Sequence, residues 1–121
     1  MGKRGFRDLL VWQKAKDLAV QIYLLPQTDD LSRDRGLRDQ ARRSAVSIAS
    51  NIAEGDERDT DKDAVRFFFI AKGSLAELRT QLQIAAEAGL LKPATYEALE
   101  AHCAELGKMI GGLIRIRQSG R

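Results

Sequence analysis

The chain has 121 residues and a formal net charge of +3, which suits one compact domain whose core needs no disulfide or metal ion. The single cysteine, Cys103, excludes an intrachain disulfide. No apolar run approaches the roughly 18 residues that a membrane span requires, and the N-terminus lacks the pattern of a signal peptide. We therefore expect a cytoplasmic protein with no membrane contact, no metal site and no other cofactor.

The charge is distributed unevenly along the chain. Residues 1–45 carry ten Lys and Arg against six Asp and Glu, whereas residues 46–88 carry five against eight. Residues 89–121 carry five against three. The positive charge therefore lies toward both termini, and the middle of the chain is acidic.

The first apolar pattern predicts a helix over residues 6–25, after a short basic arm. Apolar residues recur at intervals of four and three along it, at Val11, Ala15, Leu18, Ile22 and Leu25. Pro26 ends the helix because proline cannot continue the backbone hydrogen bonding. We interpret the polar segment 27–35 as a loop that leads into a second helix near Asp34.

The second helix, predicted over residues 34–54, carries mostly small side chains on two opposite sides. One stripe consists of the apolar residues Ala41, Ala45, Ile48 and Ile52. The opposite row places two hydroxyls between an arginine and a carboxylate, at Arg43, Ser47, Ser50 and Glu54. Because neighbouring helices can approach both sides closely, we expect this helix to lie centrally in a bundle, with Gly55 as its C-terminal cap.

The third helix, predicted over residues 61–88, has the strongest periodicity of the chain. Its apolar seam keeps a strict alternation of four and three residues, at Ala64, Phe68, Ala71, Leu75, Leu78, Leu82 and Ala85. Asp59 or Thr60 is expected to cap its start, and Gly89 is expected to stop it.

The fourth helix is predicted over residues 93–117, with Pro93 in its first turn. The same alternation continues at Tyr96, Leu99, Cys103, Leu106, Ile110 and Leu113. Four amphipathic helices with short links predict an all-α, up-and-down four-helix bundle formed by a single domain over residues 1–121.

The third helix carries more apolar surface than one seam needs. At about 100° per residue, Phe69 and Ile70 lie well away from its seam, and exposing both is unusual for a soluble monomer. We expect a homo-oligomer interface here, because Gly73 lets a neighbouring backbone approach. The polar members expected at this interface are Arg43, Ser47, Glu54 and Glu77. The alternatives are a wider core within one chain and an ordinary solvated face for the charges.

The sequence shows no pattern typical of a catalytic or metal site. The acidic connection 56–63 has alternating aspartates but lacks the glycine and glutamate of a calcium loop. His102 adjoins Cys103, and adjacent helical side chains point about 100° apart, so they form no nucleophile–base pair. The pair Gly111–Gly112 has no phosphate-loop lysine beside it. An enzyme with a site assembled between subunits is the least favoured hypothesis.

Basic residues form three clusters that are expected to contact nucleic acid. They are Lys3, Arg4 and Arg7 near the N-terminus, Arg33, Arg35, Arg38 and Arg42 around the start of the second helix, and Arg115 and Arg117 in the tail. In an up-and-down bundle the first and last clusters share one end, and a ring would repeat them into a positive rim that attracts phosphate backbones. Aromatic residues for base stacking are missing from these clusters. Ordinary solubilising charge is the alternative.

Several stretches of the chain carry a family resemblance. They are RDLLVWQKAKDLAVQIY (7–23), QARRSAVSIASNIAEG (40–55), RFFFIAKGSLAELRTQLQIA (66–85) and, more weakly, LGKMIGGLIR (106–115). Together they resemble the small four-helix-bundle proteins encoded by intervening sequences in bacterial 23S ribosomal RNA genes. A related member of this group is the accessory variability protein of diversity-generating retroelements.

The chain departs from the family pattern at two places. Ala49 stands where the family often has proline, and LPQTDDLSRDRG replaces the common link after the first helix. The second departure leaves the positions of Arg33 and Arg35 open. The resemblance implies a homopentameric, barrel-like ring and, through the retroelement relative, binding to nucleic acid and to a reverse transcriptase.

Two functional hypotheses follow from these patterns. The leading one is a non-enzymatic, ring-forming bundle that binds RNA or DNA backbones through its basic residues. The alternative is a protein-interaction adaptor without a direct nucleic-acid role, for example a partner of a reverse transcriptase. A steep fall in affinity with salt distinguishes backbone binding from docking on a protein.

Overall fold

The computed structural model describes residues 5–119, and within that range every regular element is helical. Lys3 and Arg4, two residues of the predicted basic arm, lie outside the described residues. The four long helices match the predicted segments to within a few residues. They are α1 (Leu10–Tyr23), α2 (Arg35–Asp56), α3 (Asp61–Glu87) and α4 (Pro93–Gln118), with short 3-10 turns at Phe6–Asp8 and Asp30–Arg33.

The first helix begins later and ends earlier than the predicted span 6–25. Leu9 is extended and separates α1 from the preceding 3-10 turn. This turn folds Phe6 onto Trp12, with the two rings edge to face and their centroids 5.0 Å apart. A continuous helix would carry Phe6 away from Trp12, so this aromatic contact accounts for the break. Leu25 lies after the helix and is only partly buried.

The start of α2 is as predicted, but its end is not. The carboxylate of Asp34 accepts a hydrogen bond from the backbone N–H of Leu37, as expected of an N-cap. The prediction that Gly55 caps the C-terminus is wrong, because α2 continues through Asp56. A Cβ at Gly55 would lie 2.5 Å from Cε1 of Phe68. Glycine is needed here because the Phe68 ring of α3 packs directly against the α2 backbone.

The predicted signals at the ends of α3 and α4 are confirmed. Thr60 Oγ1 accepts a hydrogen bond from the backbone N–H of Asp63, so Thr60 is the N-cap of α3. Gly89 follows α3 with a φ of 81°, a conformation that favours glycine. Pro93 occupies the first turn of α4. Every residue of the predicted α3 seam is buried.

The helices form a closed square in which each packs on the next and α4 packs back on α1. Side chains from all four helices share one buried core. The bundle therefore has two ends, each named here after a buried aspartate. At the Asp56 end, α1 and α3 begin and α2 and α4 finish, whereas at the Asp29 end α2 and α4 begin.

The segment 27–35 is more ordered than the predicted loop. Leu31 is buried, and its N–H donates to the carbonyl of Leu90 at 2.9 Å. The buried carboxylate of Asp29 accepts from the N–H of Lys92 at 2.9 Å and from the hydroxyl of Thr95 at 3.3 Å. Asp29 thus caps α4 from a segment more than sixty residues earlier.

Candidate interaction surfaces

Arg117 is held by carboxylates at the Asp56 end. Its Nε donates to Asp61 at 2.6 Å, and its guanidinium lies 3.8 Å from the carboxylate of Asp56. The Asp56 side chain is 1% exposed and that of Arg117 is 19% exposed. The guanidinium also lies over the ring of Phe68. Because these contacts hold Arg117 within the fold, we remove it from the set of nucleic-acid contacts expected from sequence.

Acidic residues share the Asp56 end with the other basic residues. Arg7, which lies over the ring of Phe6, and the exposed Arg115 are both at this end, as expected. The acidic connection between α2 and α3 lies at the same end, however. The sequence-based prediction of a positive rim did not take these acidic residues into account. The acidic residues here are Asp8, Glu54, Asp56, Glu57, Asp59, Asp61 and Asp63. This arrangement opposes the expected positive rim at this end.

The Asp29 end carries the basic residues around the start of α2. Two are paired locally, since Arg33 contacts Asp30 and Arg38 donates to Asp39 at 3.1 Å. Arg38 also donates to the carbonyl of Ser32. Arg35 is exposed, and no acidic oxygen of the described chain lies within 4 Å of its guanidinium.

Arg42 packs against an aromatic ring, and this contact was not predicted from the sequence. Its guanidinium lies 4.5 Å from the ring centroid of Tyr23, and its Nε is buried without a hydrogen-bond partner within the described residues. The pairing arises because the end of α1 packs beside the first turns of α2. Arg35, Arg38 and Arg42 are spaced by three and four residues, so they form one basic stripe along α2.

The outer face of α3 exposes the apolar residues expected at an oligomer interface. Phe69 is 48% exposed and Ile70 is 45% exposed. A Cβ at Gly73 would have no neighbour within 4 Å, so this part of the helix is open to close approach. We name this face the ridge, and it consists of Phe69, Ile70, Gly73 and Ala76.

The polar residues expected at the interface occupy two places. Arg43, Ser47 and Glu77 line one small polar pocket between α2 and α3. There the hydroxyls of Ser47 and Ser74 are hydrogen bonded at 2.9 Å within one chain. Glu54 lies farther along α2 and pairs with Arg58 at 3.4 Å.

A second apolar surface, which the sequence analysis missed, is a groove between α1 and α2. It has a volume of about 490 Å³ and an almost entirely apolar lining. The lining residues are Phe6, Trp12, Lys16, Ala19, Val20, Tyr23, Leu24, Val46, Ala49, Ser50 and Ala53. The signal was present in Val20, Leu24 and Val46, which are apolar but lie off the two helix seams.

The histidine and the cysteine form no catalytic pair. The ring nitrogens of His102 lie 3.3 Å from Oε1 of Gln21 and 3.2 Å from the carbonyl of Lys14. Cys103 points into the core, where burial raises the pKa of its thiol to about 12. The thiol is therefore protonated at neutral pH and closed to solvent.

Residues 5–119 form neither a metal-binding group nor a membrane-spanning helix. No three His, Cys, Asp or Glu side chains there come together as a group that could hold a metal ion. Within the same range, no helix is both long and apolar enough to cross a membrane.

Comparison with protein families identifies the chain. The model of the 23S rRNA-intervening sequence protein family matches residues 7–112. The chain belongs to this family. The match includes all of α1, α2 and α3 and most of α4, in agreement with the resemblance found from the sequence motifs.

A solved structure supports the fold of this 23S rRNA-intervening sequence protein. It is the crystal structure of a protein of unknown function from the S23 ribosomal protein family of Bacteroides thetaiotaomicron. The two share 23% sequence identity with a TM-score of 0.79, over 87% of this chain and 98% of that one. At this identity the similarity shows the fold alone. No curated protein matches the chain.

Proposed function

We propose that the protein is a non-enzymatic, homo-oligomeric helical bundle that binds the phosphate backbone of RNA or DNA. The contact surface is the basic stripe of Arg35, Arg38 and Arg42 at the Asp29 end. The assembly is a ring, with five copies as the family resemblance implies. The ring places one stripe on each copy, so that several stripes face a long polyanion together.

The observation that carries this proposal is the difference in pairing among the arginines. Arg117 at the Asp56 end is mostly buried against two carboxylates, whereas Arg35 is exposed and no acidic oxygen of the described chain lies within 4 Å of its guanidinium. A phosphate can reach an exposed guanidinium without first breaking a buried ion pair. Sequence-independent binding to nucleic acid depends on such accessible charges.

Assembly matters because the basic stripe of a single chain attracts a nucleic-acid backbone only weakly. A chain with a net charge of +3 has a small overall field. Repeating the stripe around a ring lets several copies contact one backbone, and each additional contact benefits from the high effective concentration that the first one creates. We therefore expect binding to depend on assembly as well as on the arginines.

The second candidate function is a protein-interaction adaptor, for example for a reverse transcriptase. Arg42 against Tyr23, beside an apolar groove, supports it, because Tyr and Arg are frequent anchors at protein interfaces. A protein partner would retain much of its affinity at high salt. Nucleic acid would not, because its binding releases counterions.

The test is a salt titration of binding to an arbitrary single-stranded RNA and an arbitrary DNA duplex, followed by fluorescence anisotropy. The double variant Arg35→Gln/Arg42→Gln removes two charges at the Asp29 end. The matched variant Arg7→Gln/Arg115→Gln removes two at the Asp56 end. We expect the first variant to lower affinity at least tenfold. The slope of log affinity against log salt concentration should also become less steep, by about 0.9 for each of the two lost phosphate contacts on a duplex.

The matched variant should lower affinity by less than about threefold, since its two arginines share their end of the bundle with the acidic connection between α2 and α3 and act only through long-range charge. Equal losses in both variants would show that net charge, and not the stripe, determines binding. No binding by the wild-type protein at low salt would reject the nucleic-acid function and leave the adaptor.

A further inference from the structure

We propose that the groove between α1 and α2 receives the ridge on α3 of a second copy, so that copies join head to tail. The inference rests on the self-assembly in the proposed function and names both halves of the contact. The ridge and the groove are each apolar and open in one chain. Covering both with copies of the same protein removes both from water.

The hydrogen bond between Ser47 and Ser74 fixes the relative levels of α2 and α3 along the bundle. These helices run in opposite directions. Equal steps toward the start of α3 and toward the end of α2 therefore lead to the same level, at about 1.5 Å per residue. Any residue of the ridge can thus be assigned the level of an α2 residue.

The ridge and the groove occupy the same levels. Phe69 precedes Ser74 by five residues, which places it at the level of residue 52 on α2, next to Ala53 of the groove. Ala76 follows Ser74 by two residues and falls at the level of residue 45, next to Val46. The ridge from Phe69 to Ala76 therefore spans the same levels as the α2 wall of the groove from Ala53 to Val46.

A closed ring whose axis is parallel to the helices requires the ridge and the groove of one chain to lie at the same level along that axis. Rotation about such an axis moves each point around the ring but leaves its level unchanged. An apolar ridge can then enter an apolar groove only if both occupy the same levels in one chain. Had the ridge lain one helix length away, the same contact would have produced a rising filament.

Charges at the borders of the ridge fit the same arrangement. By the same counting, Arg66 falls at the level of residue 55 on α2, beside Glu54. Glu77 falls at the level of residue 44, next to Arg43 and two residues from Arg42. In this register opposite charges therefore lie at the same levels at both borders of the apolar contact.

The contact joins two different surfaces, and this sets it apart from a symmetric dimer. Each copy contributes its ridge to one neighbour and its groove to the other, as in any head-to-tail assembly. A variant with a damaged groove still has an intact ridge, and a variant with a damaged ridge still has an intact groove. Neither assembles alone, but the mixture can form one intact contact.

The experiment uses the full chain with Val46→Asp in the groove and Phe69→Asp on the ridge. We expect the wild-type protein to be oligomeric and each variant to sediment as single chains. An equimolar mixture of the two variants should form a 1:1 heterodimer and nothing larger. Analytical ultracentrifugation and native mass spectrometry measure these states, and circular dichroism confirms that each variant is folded.

Two further variants serve as a negative control and as a second test of the groove. Ile116→Asp places the same charge on an exposed apolar residue of α4, outside both surfaces, and should keep the wild-type assembly. Leu24→Asp is a second groove variant at a highly exposed residue, for use if Val46→Asp is unfolded. It should behave as Val46→Asp does.

The outcomes separate this inference from the proposed function. If the groove variants keep the wild-type assembly, or if the mixture stays as single chains, the inference is wrong while self-assembly stands. Wild-type protein found only as single chains would overturn the inference and the ring together. The salt titration on wild-type protein tests nucleic-acid binding separately and leaves the assembly result unchanged.

Discussion

The two ends of the bundle each bury one aspartate, and they satisfy it in different ways. At the Asp56 end the partner in the described chain is Arg117, which belongs to the last turn of α4. At the Asp29 end the partners are a backbone N–H and a hydroxyl at the start of α4. One end therefore uses a charged side chain to hold the helices together, and the other uses uncharged donors.

This difference explains why Arg117 is not available to a ligand. At the Asp56 end, Arg117 is part of the fold and the nearby acidic connection opposes the remaining positive charge. At the Asp29 end the buried carboxylate needs no arginine, and Arg35 at the start of α2 remains exposed. The number of basic residues at an end is thus a poor guide to whether that end binds an anion.

The largest expected effect on stability comes from Arg117→Met, which keeps the apolar stem but removes the charge. It deprives the buried carboxylate of Asp56 of a cation, and losing one member of a buried pair is costly. We expect the free energy of unfolding to fall by about 3 kcal/mol, measured by urea denaturation followed by circular dichroism.

Arg115→Met is the control for this comparison, since Arg115 is exposed in the same turns of α4. It should change the free energy of unfolding by less than about 0.5 kcal/mol. Adding Asp56→Asn to Arg117→Met removes the buried charge that Arg117 had faced and should recover part of the loss. A similar loss for Arg115→Met and Arg117→Met would contradict the buried pair.

A smaller loss is expected from Gly55→Ala, also at the Asp56 end. Glycine to alanine within a helix normally stabilises by roughly 0.5–1 kcal/mol. At Gly55 the new Cβ would meet the Phe68 ring at 2.5 Å and the Ala64 carbonyl at 3.0 Å, so α2 and α3 must separate. We expect a net loss of about 2 kcal/mol, measured by thermal and urea unfolding.

Gly112→Ala is the control, for which we expect a change of opposite sign in the free energy of unfolding. Its Cβ would lie 3.8 Å from the Arg115 guanidinium, an ordinary contact distance. We therefore expect a gain of about 0.5 kcal/mol. If both substitutions stabilise, the close approach of α2 and α3 at Gly55 is not as described.

At the Asp29 end, Asp29→Ala should cost about 1.5 kcal/mol, because it removes the cap of α4 and leaves the N–H of Lys92 without its acceptor. Asp29→Asn keeps an acceptor oxygen and should lose less. Hydrogen exchange should show faster opening at the start of α4 than at its end. Uniform acceleration along α4 would mean that Asp29 does not act as a cap.

The smallest stability effect is expected from Arg35→Gln, which removes an exposed charge that has no ion-pair partner within the described chain. The free energy of unfolding should change by less than about 0.5 kcal/mol, although affinity for RNA falls. Urea unfolding and anisotropy on the same sample measure the two quantities. A large loss of stability would place Arg35 in the fold with Arg117 and remove the distinction between the two ends.

The sequence by itself determined the four helices, because apolar residues at helical spacing define both the helices and the sides that face the core. It also placed the start of α2 near Asp34 and limited the cap of α3 to Asp59 or Thr60, since each start depends on a hydrogen bond within three residues along the chain. The exposure of Phe69 and Ile70 followed from the same spacing. These features are local, so a single helix contains the information for each.

Only the tertiary structure decided the features that join distant segments. Asp29 caps a helix that begins more than sixty residues later, and Arg117 of α4 contacts carboxylates at the end of α2 and the start of α3. Gly55 is required by the ring of Phe68 and not by the end of its own helix. The groove likewise exists only where α1 lies beside α2. Each depends on which helices are neighbours, and the spacing of residues within one helix does not specify that.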